Sequence, residues 1–361
     1  MAKSVLIFPA GMPRSMAYLE RALSEGKSVI GSSSLGHDPA REHYPKWVHL
    51  PYVTAPDFDE ELRQVIADFD IDGIFTPNPV VWDYLNRGIA ESFPGVTLIN
   101  PSPVASEVAP YHKALQFGAS VLSEPLAVAG AGETRPSVSA LEIAALFHHA
   151  DSIPGMCDHE KIRALCELFR HAPAGDVVEI GSWWGKSAFV LMRLASCYNI
   201  GNLLCADPWS NEHLIQNDEK GLVDRVSVNA DEALTVFQLN LLPYAHGSVN
   251  YMRRPSVDAA VEYRRSQQVA TAAFGETHYT GRIAVLHVDG NHSYDSVRAD
   301  VLAWADLVLP GGWIIIDDYI WPYGDGPQRV ADEFLRNQLP TIDCAFVMGG
   351  ALFIKLDGVA D

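Results

Sequence analysis

Apolar residues recur along the first hundred positions in two patterns, short continuous runs and helical stripes. SVLIFPAG (4–11) predicts a buried strand ending in a turn, MAYLERALSEG (16–26) a helix, and SVIGSSS (28–34) a second strand that empties into small residues. WVHLPYV (47–53) predicts a third strand. FDEELRQVIADFD (58–70) sets Phe58, Leu62, Val65, Ile66 and Phe69 on one helical face. IDGIFTP (71–77) follows as a strand, a helix covers about 80–92, and VTLINP (96–101) closes the series. Strands and helices alternating over short loops imply a parallel sheet covered on both faces.

Between 120 and 157 Gly, Pro and Ser break the periodicity, and only SALEIAALFHHA (139–150) reads as helix. The alternation then restarts. Helices are predicted at 159–172, 185–198, 230–243, 293–308 and 329–339, and strands at 176–182, 202–209, 246–254, 283–290 and 311–319. IDCAFVMGG (342–350) and ALFIKLD (351–357) meet at Gly349–Gly350 as a hairpin would. The expected fold is α/β in two domains: a smaller parallel domain over 1–120, a linker or arm over 121–157, and over 158–361 a Rossmann-like sheet with a terminal antiparallel hairpin. The arm would wrap one domain or reach a second copy, so homo-oligomerisation stays open.

Composition narrows the partners. The 361 residues are 48% hydrophobic, enough for packed cores, and 45 Asp+Glu against 26 Lys+Arg give a net charge of −19. That field repels phosphate backbones and anionic lipid, so neither nucleic acid nor a membrane surface is an expected partner. Five cysteines without a CxxC pair support neither a disulfide framework nor a thiolate zinc site. The start, MAKSVLIFPAGMPRS, reads as a strand and not a signal peptide, and no apolar run approaches membrane-span length, so a cytoplasmic protein is expected.

Candidate chemistry collects at strand ends, where open α/β sheets bind ligands. VVEIGSWWGKSAFVLM (177–192) passes from strand to helix through Gly181 and Gly185, leaving room for a ligand at the helix N-terminus. GSWWGKS is one residue too short between its glycines for a phosphate-binding P-loop. Glu179 lies inside an apolar strand, and Asp207 ends the next strand, where an acid accepts ribose hydroxyls or caps a turn. Asp289, His292, Asp317 and Asp318 end two strands read as neighbours. Converging carboxylates call for a cation, and oxygen ligation suits Mg²⁺, with Mn²⁺ or Ca²⁺ as alternatives; otherwise Asp289 and Asp318 cap the following helices and Asp317 points into the core with a partner. Tyr294, Tyr319, Trp183, Trp184, Trp209, Trp313 and Trp321 are candidates for pocket walls or core. The long segment 261–281 is read as an extra helix and acceptor-side lid carrying Arg264 and Arg265, or as a solvated face.

VVEIGSWWGKS, CADPW (205–209), HVDGNHSY (287–294) and LPGGWIIIDDY (309–319), preceded by IPGM (153–156), resemble class I S-adenosylmethionine-dependent methyltransferases. The likeness is to the group holding metal-dependent sugar and macrolide O-methyltransferases and cephalosporin-hydroxylase-like enzymes. It implies methyl transfer from S-adenosylmethionine to a hydroxyl of a small metabolite, such as a sugar or natural-product moiety. Glu179, Gly181, Ser182 and Gly185 would then lie at the cofactor's methionine end, Asp207 on the ribose and Ser256 near the adenine, with Ser187 also binding the cofactor. Asp289, Asp317 and Asp318 would hold the metal, and His292 or Asp289 would be the base. The first domain, through FPAG (8–11), VIGSSS (29–34), LPYV (50–53) and IDGIFTP, resembles the small domain preceding ATP-grasp domains, without the ATP-binding domain that would follow. A substrate-positioning or structural role and an independent nucleotide site are both readings of it. The alternatives for the whole chain are an N-methyltransferase without catalytic metal, a non-catalytic nucleotide-binding or scaffold protein, and an NAD-dependent oxidoreductase.

Overall fold

The computed structural model describes residues 3–128, 134–213, 215, 221–222 and 228–358; residues 129–133 of the expected arm lie outside them. Two compact units divide the chain, Met1–His112 and Lys113–Asp361, so the division falls upstream of the segment read as a linker.

The first unit alternates β1 (Ser4–Ile7), α1 (Pro13–Ser24), β2 (Ser28–Ser33), β3 (Trp47–His49), α2 (Phe58–Phe69), β4 (Ile71–Phe75), α3 (Pro79–Ser92) and β5 (Thr97–Leu98). Every strand pair is parallel, in the order β3-β2-β1-β4-β5. The helical stripe read in 58–70 buries Phe58, Leu62 and Val65 against Leu6, Ile30 and Ile74 of the sheet. α4 (Pro103–Ser123) was not legible in the pattern. Pro110 lies inside it, and an internal proline ordinarily ends a helix by removing a donor and crowding the preceding turn.

The second unit takes in α4 from Lys113 onward and continues with α5 (Ala140–Ser152), whose N-terminus is closed by a reciprocal capping box between Ser139 and Glu142. α6 (His159–His171), β6 (Asp176–Ile180), α7 (Lys186–Cys197), β7 (Leu203–Ala206), α8 (Ala230–Leu241), β8 (Val249–Met252) and α9 (Ser256–Arg265) follow. Then come β9 (Gln268–Thr271), β10 (Gly275–His278), β11 (Ile283–Val288), α10 (Tyr294–Trp304), β12 (Val308–Ile316), α11 (Gly326–Gln338), β13 (Ile342–Met348) and β14 (Ala351–Leu356). The large sheet runs β13-β14-β12-β11-β6-β7-β8, parallel except for β14, which is antiparallel to both neighbours. Helices cover both faces over two apolar cores.

The lid reading of 261–281 is corrected. After α9 the segment forms the β9–β10 hairpin, and Asn250 donates to the carbonyls of Val269 and Gly275, tying it to β8. Asp176, at the start of β6, accepts from the Thr280 and Gly281 amides, and the Tyr279 hydroxyl donates to the Leu203 carbonyl at the start of β7. Its far end thus packs at the amino ends of the strands, opposite the ends where ligands bind. Arg264 pairs with Asp306 and also donates to the Ala303 carbonyl.

Candidate active site

Three strand ends of the second unit are stitched together by backbone bonds. Asp289 N donates to Ile180 O, and Asp317 N to Val288 O, which brings the ends of β6, β11 and β12 side by side. Gly181 makes the closest approach. Its φ is +78°, and a Cβ there would stand 2.0 Å from the Asp289 carbonyl oxygen, so only glycine lets the turn after β6 pass this close. Gly185 has φ +86°, and its missing Cβ makes room for Leu241 and Phe237 of α8. Both glycines are therefore required by protein packing as well as by the turn.

Asp207 organises that turn. Its Oδ2 accepts from the amides of Ser182 at 2.9 Å and Trp183 at 3.1 Å, and its Oδ1 from the Trp209 amide at 2.7 Å. Burial raises its pKa, and these three amides pull it back without fully offsetting the rise. Trp183 sits at φ +47°, a strained conformation for a bulky residue, with its carbonyl bonded by the Trp209 indole. Ser182 Oγ is buried and has no hydrogen-bond partner among the described residues. Ser187 is buried in the first turn of α7. The 153–156 segment meets the same helix start through Lys186, whose ammonium donates to the Gly155 carbonyl.

Glu179 is fully buried, and its Oε1 lies 3.1 Å from Nδ1 of His287, its register partner on β11. His287 Nε2 lies 3.4 Å from Asp317 Oδ2, and that same oxygen pairs with the buried Lys161 ammonium of α6. Asp317 Oδ1 accepts from the Asp318 amide. Burial alone would lower the His287 pKa, but the carboxylates of Asp317, Glu179 and Asp289 outweigh it and lift it to about 10. Burial likewise opposes ionisation of Asp317, yet Lys161 and His287 hold its pKa well below the usual carboxylate range. Glu179, His287, Asp317 and Lys161 thus form one buried chain of ionisable groups.

In front of this chain lie Asp289, His292 and Asp318, all partly exposed, with ligand atoms within 4.8 Å of one another. His292 Nε2 is 3.0 Å from Asp318 Oδ2 and 4.0 Å from Asp289 Oδ1. Its ring meets the Trp321 face edge-on at a centroid distance of 4.5 Å. Burial, and then the Asp317 charge, push the Asp289 pKa well above its ordinary value. A carboxyl group destabilised in this way gains from a cation beside it. The Asp289 and Asp318 carboxylates suit a divalent ion, with the His292 imidazole beside them, whereas Asp317 already carries its own ammonium.

Other expected pocket residues have structural partners. Tyr294 donates to Glu333 and Tyr319 to Asp332, both on α11. Trp209 and Trp313 are fully buried, the core alternative of their reading, while Trp183 and Trp184 are half-buried. Ser256 donates to the buried Asp300 of α10 at 2.6 Å. Sequence reasoning missed Lys161 and His287. The signals were a lysine on the apolar face shared with Leu165 and Leu168, and ionisable residues inside the two apolar runs DVVEI and IAVLHV.

Residues 178–319 match the family model of a methyltransferase domain. No curated protein matches the chain. Among solved structures, the O-methyltransferase NovP is 16% identical over 68% of this chain and 98% of its own, with a TM-score of 0.43. CalS11, a TDP-rhamnose 3′-O-methyltransferase of calicheamicin biosynthesis, is 13% identical over 71% and 96%, with a TM-score of 0.38. MycE, from the mycinamycin pathway and in complex with Mg, SAH and mycinamycin VI, is 18% identical over 73% and 64%, with a TM-score of 0.36. No described helix is long and apolar enough to cross a membrane. With that family match laid over a sheet whose single antiparallel strand enters next to β12, the second unit has the class I S-adenosylmethionine-dependent methyltransferase fold.

Proposed function

We propose that this chain is an S-adenosylmethionine-dependent O-methyltransferase that acts on a hydroxyl of a small metabolite, such as a sugar or natural-product moiety, and uses a divalent cation. The observation that carries the reading is the Asp289–His292–Asp318 cluster, set at the ends of β11 and β12 beside the Gly181 turn. The residues around the turn suit the cofactor: Ser182 offers an unpartnered buried hydroxyl, and Asp207 has acceptor capacity left for a ribose hydroxyl. Glu179, locked on His287, acts from beneath the turn. Asp289 and Asp318 would hold the cation, while Asp317 keeps the Asp318 backbone in place and is itself held by Lys161.

When bound, the cofactor supplies an electrophilic methyl group, and the cation lowers the pKa of a coordinated hydroxyl. The chain's own residues handle the proton. His292, carried at the start of α10 and braced by Trp321, accepts it from the acceptor oxygen, with Asp289 as the alternative base. Asp318, 3.0 Å from the imidazole, stabilises the imidazolium that results.

Calorimetry with S-adenosylhomocysteine tests the cofactor, and metal titration followed by methyl transfer to hydroxylated acceptors tests the chemistry. Wild type binds S-adenosylhomocysteine and Asp207→Ala binds it more weakly. Chelation abolishes turnover, and Mg²⁺ restores it. His292→Ala keeps metal binding and loses roughly 10²–10⁴ in rate. Absence of S-adenosylhomocysteine binding would remove the cofactor assignment, and full turnover in verified metal-free enzyme would favour a metal-free N- or O-methyltransferase.

A further inference from the structure

The first unit has a cleft of its own, lined entirely by residues of Met1–His112. It measures about 660 Å³, within the range of sites that enclose a small molecule, and opens at the carboxyl ends of the strands. In the order β3-β2-β1-β4-β5 the chain winds outward in opposite directions from β1, so the cleft lies at the point where parallel sheets of this kind receive ligands.

Asp38 and Asn78 line the cleft together with Ser33, Ser34, Thr54 and a larger set of apolar residues. Asp38 follows β2 and is 9% exposed; its Oδ1 accepts from the Ala40 amide at 3.0 Å, while Oδ2 accepts no hydrogen bond from any described residue. Gly11, after β1, makes room for this carboxylate: a Cβ there would stand 2.8 Å from Oδ1 and 3.0 Å from Oδ2. Asn78 follows β4. Its Oδ1 caps α3 by accepting from the Val80 and Val81 amides at 2.9 and 3.1 Å, which fixes the amide and leaves Nδ2 as the donor. At the mouth, Leu35, Tyr52 and Val80 are 52%, 59% and 65% exposed, an unusual amount of bare apolar surface around one opening. No lysine, arginine or histidine lines the cleft.

These features select a ligand by chemistry. A phosphate or carboxylate would approach Asp38 with no cation in the lining to offset the repulsion. We propose that the cleft binds an uncharged, hydroxyl-bearing molecule with an aromatic body, its hydroxyls donating to Asp38 Oδ2 and accepting from Asn78 Nδ2 while the ring lies against Leu35, Tyr52 and Val80. This site is separate from the methyl-transfer reading and stands whether or not that reading holds.

The test uses the full chain and a matched pair of probes, p-nitrophenyl β-D-glucopyranoside and p-nitrophenyl phosphate, followed by ligand-observed NMR. Asp38→Asn retains an oxygen for the Ala40 amide and removes the charge. Val80→Trp changes an exposed first-turn residue of α3 and fills the mouth without entering the core, so it tests the site even if Asp38→Asn folds poorly. The glucoside is expected to saturate at millimolar concentration, the phosphate to show no saturation, and each folded variant to weaken glucoside binding by roughly tenfold or more. Absence of glucoside saturation, affinity unchanged in Val80→Trp or in folded Asp38→Asn, or the phosphate binding as tightly as the glucoside, would each overturn the proposal.

Discussion

Replacing Lys161 by methionine removes the ammonium that neutralises Asp317 while keeping the length of the side chain. Both partners are 5% exposed, so neither charge has water to fall back on. The carboxylate would keep His287 at 3.4 Å and the Asp318 amide, but it would lose the buried Lys161 ammonium. Breaking a buried pair from one side typically costs about 3–5 kcal/mol, because the remaining charge stays desolvated. The residual His287 contact places Lys161→Met toward the lower end, about 3 kcal/mol. Denaturant unfolding followed by tryptophan fluorescence reads the second unit selectively, since six of the eight tryptophans lie there. The double variant Lys161→Met/Asp317→Asn removes both charges and should recover a large part of the loss. A single variant within about 1 kcal/mol of wild type, or a double variant as unstable as the single, would refute the account of a buried Lys161–Asp317 pair.

Three further outcomes follow from other parts of the second unit. Burial raises the Asp300 pKa to about 6, the Ser256 hydroxyl only partly opposing it. Its folded form therefore holds a proton that the unfolded chain has already released, and stability falls as pH rises from about 4 to about 6 and stays lower above. Asp300→Asn should thus gain on wild type across that window, by up to about 3 kcal/mol at neutral pH, in urea titrations at several pH values; a gap that does not grow with pH would count against it. Gly181→Ala should destabilise more than Gly185→Ala, since the first drives a Cβ into backbone 2.0 Å away and the second meets side-chain ends at 2.6 and 2.9 Å. Equal midpoints in guanidinium would contradict that order. Arg264→Ala, which removes an exposed pair with Asp306, should leave methyl transfer unchanged, and a lost acceptor affinity would restore the lid reading.

Much of this architecture was legible because its signals are local. The central parallel strands β6, β7, β11 and β12 of the large sheet are apolar runs with their chemistry at the carboxyl end, so Gly181, Asp207, Asp289 and Asp318 could be placed at strand tips from spacing alone. The β13–β14 hairpin was legible for the same reason, through Gly349–Gly350. What escaped depends on partners distant in sequence. Lys161 and Asp317 are 156 positions apart, and nothing near either residue announces the other. Asp207 is legible as a ribose acceptor or a turn cap, and three amides of its own loops reach it, a set of partners that only the folded turn reveals. In 268–278 the short, mixed pattern concealed a hairpin, since alternation over four residues on each side is weak beside the helical stripe that precedes it.

The place of β14 has a consequence for the order in which the molecule can be completed during synthesis. β14 leaves the ribosome after β13, yet it inserts between β13 and β12, and its residues Ala351–Lys355 are buried. Until it emerges, the edge of β12 along Trp313–Ile316 has no neighbour on that side, and this is the strand that leads into Asp317 and Asp318. A nascent chain halted at Gly350 would expose an apolar, unpaired edge of the kind that recruits other chains. Premature termination there should yield aggregation in place of a shortened folded chain, and translation through β14 becomes the step that closes the sheet.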